Sequence, residues 1–233
     1  MKLSDDFEQE IEFQLPADVT KVTVNCSGGA DSSILFYMVC DYIQQNELDI
    51  TVSMTTCSND FKHRWNGRKA ADVLNYTIDK LGIGFIDTHY TYYRDVQDVS
   101  YFHEFENRLF KDNRTDLIAS GITSNPRIPA SIEDANGRLV DLAQEALPIR
   151  NVENKDTLPV TDDGKQFYTP FVNVDKRFVA AMYTHYAVED LFDLTRSCEG
   201  VPDQESGFDA EFEKNPCGKC WWCLERKWAF GRL

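Results

Sequence analysis

Residues 21–33 read KVTVNCSGGADSS, which predicts a strand, a glycine turn and the start of a helix. The segment 21–26 alternates in polarity and is rich in β-branched side chains, as is typical of a strand. The segment 27–33 combines a glycine pair with serines and one aspartate. Residues 34–43 are apolar nearly all round, which suits a helix buried between two layers. We therefore expect a strand–turn–helix unit at the centre of an α/β fold.

Strand and helix patterns continue to alternate after this unit. Strands are predicted at 49–55, 84–90 and 116–121, and helices at 63–81 and 101–110. This βαβ order is typical of a doubly wound parallel sheet, whose ligands bind outside the carboxyl ends of the strands near the switch point. Because 27–33 directly follow the first strand, they are predicted to form the ligand site.

The chain of 233 residues has room for one full α/β core and an appendage. Residues 1–20 are predicted to be an acidic arm, frayed or held as a short edge strand. Residues 21–194 are predicted to form the α/β domain, and residues 195–233 a metal-binding tail packed on it.

Two segments late in the predicted domain carry their own signals. Residues 122–168 are rich in proline and glycine, which predicts a loop-rich insertion with at most one short helix near 139–146. Residues 175–188 have apolar side chains at helical spacing, and Asp175 is placed to cap the start of that helix.

Charge and hydropathy exclude several classes of function. There are 24 Lys and Arg against 39 Asp and Glu, a formal charge of −15, so direct nucleic-acid binding is not expected. No apolar run reaches the roughly 18 residues of a membrane-spanning helix, and the acidic start is unlike a secretory signal. With clustered cysteines and no export signal, a reducing cytoplasmic location is expected.

The chemistry of segment 27–33 suits a polyphosphate. Gly28 and Gly29 let backbone amides approach an anion, and the following helix turns its positive dipole end toward the same place. The hydroxyl groups that can add hydrogen bonds belong to Ser27, Ser32 and Ser33. Asp31 would repel phosphate unless Mg²⁺ bridges the two, which predicts a Mg²⁺ site. The alternative is a purely structural turn in which Asp31 caps the helix.

The tail contains Cys217, Cys220 and Cys223 at two-residue spacing, with Cys198 upstream. Four thiolates around one tetrahedral Zn²⁺ is the expected site, and an iron–sulfur cluster is the alternative for the same spacing. The remaining cysteines, Cys26, Cys40 and Cys57, are expected in the core.

The sequence SGGADS at 27–32 resembles the pyrophosphate loop of the N-type ATP pyrophosphatases. That resemblance implies an adenine nucleotide alpha hydrolase-like fold, cleavage of ATP to AMP and pyrophosphate, and adenylation of an acceptor. It assigns ATP and pyrophosphate binding to Ser27, Gly28, Gly29, Ala30, Asp31, Ser32 and Ser33.

The loop and the tail together resemble the 7-cyano-7-deazaguanine synthase family. The tail matches at 216–223 and at Arg226, Lys227, Ala229 and Phe230, and DLIASGIT at 116–123 is similar to the fourth strand and its turn, which adds Gly121 to the nucleotide site. The segment 168–180 is similar to the lysine-bearing helix, which implies that Lys176 lies near the ATP phosphates and acts with Asp31 in catalysis. His63, Arg64 and Arg94 are further candidates.

The resemblance implies a C–N ligase of the 7-deazaguanine (queuosine) pathway. It would use ATP, Mg²⁺, a structural Zn²⁺ and ammonia to convert 7-carboxy-7-deazaguanine, through an adenylate and an amide, into 7-cyano-7-deazaguanine. It leaves a homodimer open. The alternatives are a related enzyme that makes only the amide, one that amidates or thiolates another nucleobase or carboxylate, and a non-catalytic nucleotide-binding module with a docking tail.

Overall fold

The computed structural model describes residues 1–59, 65–94, 100–127, 129–134, 136–144, 158–198 and 216–233. The strands in these ranges are β1 (Lys2–Ser4), β2 (Glu10–Glu12), β3 (Lys21–Asn25), β4 (Thr51–Asn59), β5 (Ile86–Arg94), β6 (Leu117–Ser120), β7 (Ser131–Glu133), β8 (Leu139–Asp141), β9 (Val160–Asp162) and β10 (Lys165–Tyr168). The helices are α1 (Ala30–Gln45), α2 (Asn66–Leu81), α3 (Ser100–Lys111), α4 (Lys176–His185), α5 (Glu189–Leu194) and α6 (Trp221–Phe230).

Six of the described strands form the central sheet in the order β5-β4-β3-β6-β10-β9. All neighbours are parallel except β9, which pairs antiparallel with β10 at one edge. The chain leaves β3 toward β4 and β5 on one side and later returns to β6 on the other. The carboxyl ends of β3 and β6 therefore flank the switch point, where ligands bind in such sheets.

Helices cover both faces of the sheet. Successive side chains of β3 point to opposite faces, so this strand contacts both helical layers. Val22 and Val24 are buried in the main core together with the apolar side chains of α1. Asn25 points to the other face, where its Nδ2 donates to Glu106 Oε1 of α3 at 2.8 Å. The predicted doubly wound α/β fold is therefore confirmed.

The N-terminal segment is an ordered part of the core. Strands β1 and β2 pair antiparallel, and Leu3, Ile11 and Phe13 are buried in the main core. Gln9, in the turn between the strands, exchanges two hydrogen bonds with Asp175: Gln9 Nε2 donates to Asp175 Oδ1 at 3.0 Å, and Asp175 N donates to Gln9 Oε1 at 2.8 Å. The arm therefore reaches the start of α4.

The structure corrects two sequence-based expectations for the segment after β6. The short helix allowed near 139–146 is not formed by residues 139–144, since Leu139–Asp141 pair with Ser131–Glu133 as an antiparallel ribbon, and residues 145–146 lie outside the described residues. Residues 165–168, predicted to be loop, form a parallel strand beside β6. Both segments have only three or four residues, and periodicity alone cannot separate a strand from a helix or loop at that length.

No helix in the described part of the chain combines the length and apolar character that a membrane span requires.

Candidate active site and metal centre

The glycine turn after β3 is shaped by close backbone packing. Gly28 has a φ of +74°, and a Cβ there would lie 2.4 Å from Lys69 Cβ on α2. A Cβ on Gly121, just after β6, would lie 2.8 Å from the carbonyl carbon and oxygen of Asp31. Both positions require glycine because the turn after β3 lies in close contact with α2 on one side and with the turn after β6 on the other, which leaves no room for a Cβ.

Serine hydroxyls hold the turn in shape. Ser32 Oγ accepts from Ser27 N at 3.1 Å, and Ser33 Oγ donates to Gly29 O at 2.7 Å. Ser33 is fully buried, so its side chain supports the turn from inside. The Ala30 amide donates to Ser197 Oγ at 3.3 Å, which ties the turn to the start of the cysteine tail.

A cavity of about 240 Å³ opens in front of this turn. The predicted nucleotide-site residues that line it are Ser27, Gly29, Asp31, Ser32, Gly121 and Lys176. The lining residues that sequence analysis missed are Trp65, Asn66, Arg196, Ser197 and Trp222, and Cys198 of the predicted metal site also lines it. The structure therefore brings the glycine turn and the cysteine tail to one cavity. No local sequence pattern indicates this proximity, because the two motifs are far apart along the chain.

Asp31 occupies the first turn of α1, and the helix N-cap is Gly29 without a side-chain cap. The alternative in which Asp31 caps the helix is therefore wrong. Its Oδ2 lies 3.0 Å from Lys176 Nζ, and its Oδ1 is buried without a hydrogen-bond partner among the described residues. Asp31 lines the cavity and carries a carboxylate oxygen without a hydrogen-bond partner in the described part of the chain, and carboxylate oxygens are ligands that Mg²⁺ prefers, so Asp31 fits the predicted Mg²⁺ ligand.

Lys176 begins α4, where Asp175 caps the helix by accepting a hydrogen bond from Arg177 N at 3.0 Å. Its side chain is 1% exposed and lies between two carboxylates, Asp31 at 3.0 Å and Glu225 Oε2 at 3.1 Å. Glu225 comes from α6 and is fully buried. Sequence analysis missed it, since its position two residues after Cys223 says nothing about the lysine it meets.

The four tail cysteines form one cluster in which all Sγ atoms lie within 4.8 Å of one another. Cys217 N donates to Cys198 Sγ at 3.4 Å and Cys220 N to Cys217 Sγ at 3.3 Å, as in metal knuckles. The thiols hydrogen-bond to one another, which lowers the pKa of Cys217 and raises the pKa of Cys220 and of Cys223. The set fits one tetrahedral ion such as Zn²⁺.

The tail is supported by a second hydrophobic cluster beside the main core. Leu224 of α6 is buried with Ala130, Val140 and Leu142, around the β7–β8 ribbon. Trp221 packs on the same cluster and its Nε1 donates to Leu142 O at 3.3 Å. The β7–β8 ribbon therefore packs against α6 and supports the metal centre.

The other cysteines do not join the metal cluster. Cys26 and Cys40 are buried in the main core, and burial raises the pKa of both thiols. A neutral buried thiol is a poor nucleophile, as expected for core residues. Cys57 is partly buried on β4.

Of the three remaining candidates, only the backbone of Arg94 lies among the described residues. His63 and Arg64 lie outside those residues. Arg94 ends β5, which β4 separates from β3, so it is not at the switch point. The roles of all the candidate site residues stay predictions.

Comparisons with protein-family models and with curated proteins found no match to this chain. Among solved structures, similar ones include the U34-tRNA thiolase NcsA from Methanococcus maripaludis with its 4Fe–4S cluster, at 15% identity and TM-score 0.44, covering 91% of this chain and 70% of that one. NMN synthetase from Francisella tularensis has 12% identity, TM-score 0.43 and coverages of 93% and 79%. NAD⁺ synthetase from Burkholderia pseudomallei has 12% identity, TM-score 0.42 and coverages of 93% and 76%. Because these identities and TM-scores are low, the proposed function rests on the residues of this chain.

Proposed function

We propose that this protein is an ATP-dependent adenylating enzyme that cleaves ATP to AMP and pyrophosphate. The observation that carries the proposal is the Asp31–Lys176 pair, 3.0 Å apart at the cavity, with the other Asp31 oxygen buried and unbonded among the described residues. A cation site and a buried ammonium group beside a helix N-terminus are suited to a leaving polyphosphate.

The residues of the turn would bind the pyrophosphate part of ATP. The N-cap residue Gly29 has no side-chain cap, and although the Ala30 amide donates to Ser197 Oγ, the positive dipole end of α1 is available to phosphate oxygens. Mg²⁺ held by Asp31 would neutralise charge on the leaving pyrophosphate, and Lys176 would add a second positive charge as the bond to the α-phosphorus breaks. No protein nucleophile is required, because positioning and charge stabilisation suffice.

We propose 7-carboxy-7-deazaguanine as the acceptor and ammonia as the nitrogen donor. The acceptor carboxylate attacks the α-phosphorus and pyrophosphate leaves; ammonia then displaces AMP to form the amide. The amide oxygen attacks a second ATP in the same way, and loss of AMP together with both protons of the amide nitrogen forms the nitrile of 7-cyano-7-deazaguanine. The support is the likeness of residues 216–230 to that family, together with the aromatic lining from Trp65 and Trp222, which suits a planar base.

Charge in the lining is compatible with a free anionic base. The Arg196 guanidinium lies 4.0 Å from the centre of the Trp65 ring, so a cation and an aromatic surface meet at the cavity. The formal charge of −15 opposes a nucleic-acid acceptor. A small deazapurine carboxylate fits both observations.

The test is incubation of the purified protein with ATP, Mg²⁺, ammonium and 7-carboxy-7-deazaguanine, followed by mass spectrometry of the base and detection of AMP. Amide and nitrile masses that are lost in Asp31→Asn would support the full proposal. Amide alone would assign an amide-forming relative. AMP and pyrophosphate with an untouched base would refute this acceptor, and ATP binding without AMP would refute an enzyme in favour of a binding module.

A thiolating enzyme is the second candidate, because Cys198 lies in the lining of the same cavity. A sulfur-transferring cluster must reach the acceptor, whereas a structural zinc need not. Metal analysis separates the two: iron and sulfide with broad visible absorption would favour thiolation, and one zinc in a colourless protein would favour the nitrile synthase.

A further inference from the structure

We propose that Glu225 is a positioning residue that holds Lys176 and thereby leaves Asp31 free to bind a divalent cation with pyrophosphate. The inference rests on the proposed function and extends it to a residue of the cysteine tail. Glu225 acts through Lys176 and does not itself line the cavity.

Burial makes the three charges interdependent. The side chains of Lys176 and Glu225 are 1% and 0% exposed, whereas that of Asp31 is 19% exposed. A fully buried carboxylate is costly unless it is paired, and the 3.1 Å contact between Glu225 Oε2 and Lys176 Nζ supplies a positive charge to it. Asp31 is the most exposed member of the trio, and it lines the cavity together with Lys176, whereas Glu225 does not.

Glu225 reduces the competition between Lys176 and a divalent cation for the Asp31 carboxylate. With Asp31 as its only anion, the ammonium of Lys176 would have to share that carboxylate with an incoming divalent cation, and two cations a few ångströms apart repel strongly in a partly buried site. Glu225 gives Lys176 a second, permanent anion on its far side. The Asp31 oxygens can then turn to the cation while Lys176 stays neutralised and in place.

The metal centre sets the position of Glu225. Cys220 is the N-cap of α6, Cys223 lies in its first turn, and Glu225 follows two residues later. The next residue, Arg226, is also buried and donates to Thr195 Oγ1 at 2.7 Å and Phe192 O at 3.0 Å. Helix α6 is thus held at both the cluster and the core, which makes the cysteine tail part of the cation site.

The test is calorimetric titration of inorganic pyrophosphate into the full chain over a series of Mg²⁺ concentrations. Glu225→Gln is nearly isosteric and removes only the charge, and we expect it to raise the Mg²⁺ concentration for half-maximal pyrophosphate binding by about tenfold. Glu225→Asp keeps the charge but withdraws it from Lys176 by one methylene, and it should give a smaller but still measurable rise. Asp193→Asn is the matched control, since it breaks the 2.6 Å ion pair of the tail residue Arg232 without touching Lys176, and it should behave as the natural protein does.

Zinc content and circular dichroism of each variant show whether the fold is intact. If Glu225→Gln does not fold, Glu225→Asp decides: a measurable rise in the Mg²⁺ requirement supports the role, and an unchanged requirement overturns it. An unchanged requirement in a folded Glu225→Gln overturns it directly, as does an equal shift in Asp193→Asn.

AMP formation is measured separately, so that the two proposals can fail independently. Glu225-dependent pyrophosphate binding without AMP would retain this role and refute the enzyme. AMP formation with a Glu225→Gln variant indistinguishable from the natural protein would retain the enzyme and refute this role. Failure of the natural protein to bind pyrophosphate or form AMP would refute both.

Discussion

Lys176 Nζ lies 3.0 Å from Asp31 Oδ2, a contact that joins the first turn of α4 to the first turn of α1. The contact places a buried ammonium group directly behind the glycine turn that follows β3. Tyr183, about two helical turns further along α4, strengthens the same junction by donating from its hydroxyl to Ala30 O at 2.8 Å. The geometry of the cavity therefore depends on the packing of α4 against α1.

Asp31→Asn should abolish ATP cleavage without unfolding the protein. Loss of the carboxylate removes the Mg²⁺ ligand, and we expect pyrophosphate release to fall by about 100-fold or more. Glu225 still neutralises Lys176, so the melting temperature should change little. Pyrophosphate release and thermal melting check the two parts, and full activity in Asp31→Asn would remove this residue from the site.

Lys176→Met should destabilise the fold as well as the chemistry. It removes the ammonium group that lies 3.1 Å from the buried Glu225 carboxylate, and breaking a buried ion pair costs about 3–5 kcal/mol. Denaturant unfolding measures the loss. Lys2→Met, which breaks the exposed 2.8 Å pair with Glu10, should change the free energy of unfolding by only about 0.5 kcal/mol; comparable losses in the two variants would contradict the buried pair's importance.

Gly121→Ala should disturb the turn through a backbone clash. The new Cβ would lie 2.8 Å from the Asp31 carbonyl, and overpacking of this kind costs about 1–3 kcal/mol. Gly84→Ala is the matched control, because nothing lies within 4 Å of a Cβ there. The free energy of unfolding, measured with denaturant, and the affinity for pyrophosphate should both fall in Gly121→Ala but not in Gly84→Ala. Equal behaviour of the two variants would show that the close approach is not maintained in solution.

Metal removal should weaken the whole molecule, because α6 packs on α4 and α5. The purified protein should contain one zinc per chain, and a strong chelator should lower its melting temperature. Cys217→Ser should lose the zinc, since it removes one of the four clustered ligands. Cys57→Ser, outside the cluster, should retain it. Full metal content in Cys217→Ser would contradict the four-cysteine site.

The buried Asp175 should make stability depend on acid pH. Burial alone would raise its pKa, but hydrogen bonds from the Arg177 side chain and from Arg127 N and Gln9 outweigh burial, and the pKa lies below the ordinary value of 3.8. A lowered pKa in the folded state stabilises the protein above about pH 4, and this contribution is lost as pH falls through the folded-state pKa.

Asp175→Asn should therefore cost about 1–3 kcal/mol at neutral pH and progressively less below pH 4. Urea unfolding of both proteins at a series of pH values measures the difference. Asp49→Asn, at an exposed position, serves as the control. A cost for Asp175→Asn that does not shrink in acid would show that shape, and not charge, makes this aspartate stabilising.

The sequence by itself determined the local units of this protein. The β-branched alternation of 21–26, the glycine pair and the apolar run after it predict β3, its turn and α1, because these signals act between near neighbours along the chain. The cysteine spacing likewise predicts the metal cluster, since a two-residue spacing brings thiols together within a single knuckle.

Only the tertiary structure decided how these units meet. Residues 165–168 become a sheet strand through pairing with β6, far away in the sequence, and Leu139–Asp141 become a ribbon that carries the tail. Glu225 reaches Lys176 because α6 docks on α4, a contact between side chains with no shared sequence pattern. Burial of charge and packing between distant segments are properties of the folded chain, and they place the cysteine tail at the candidate active site.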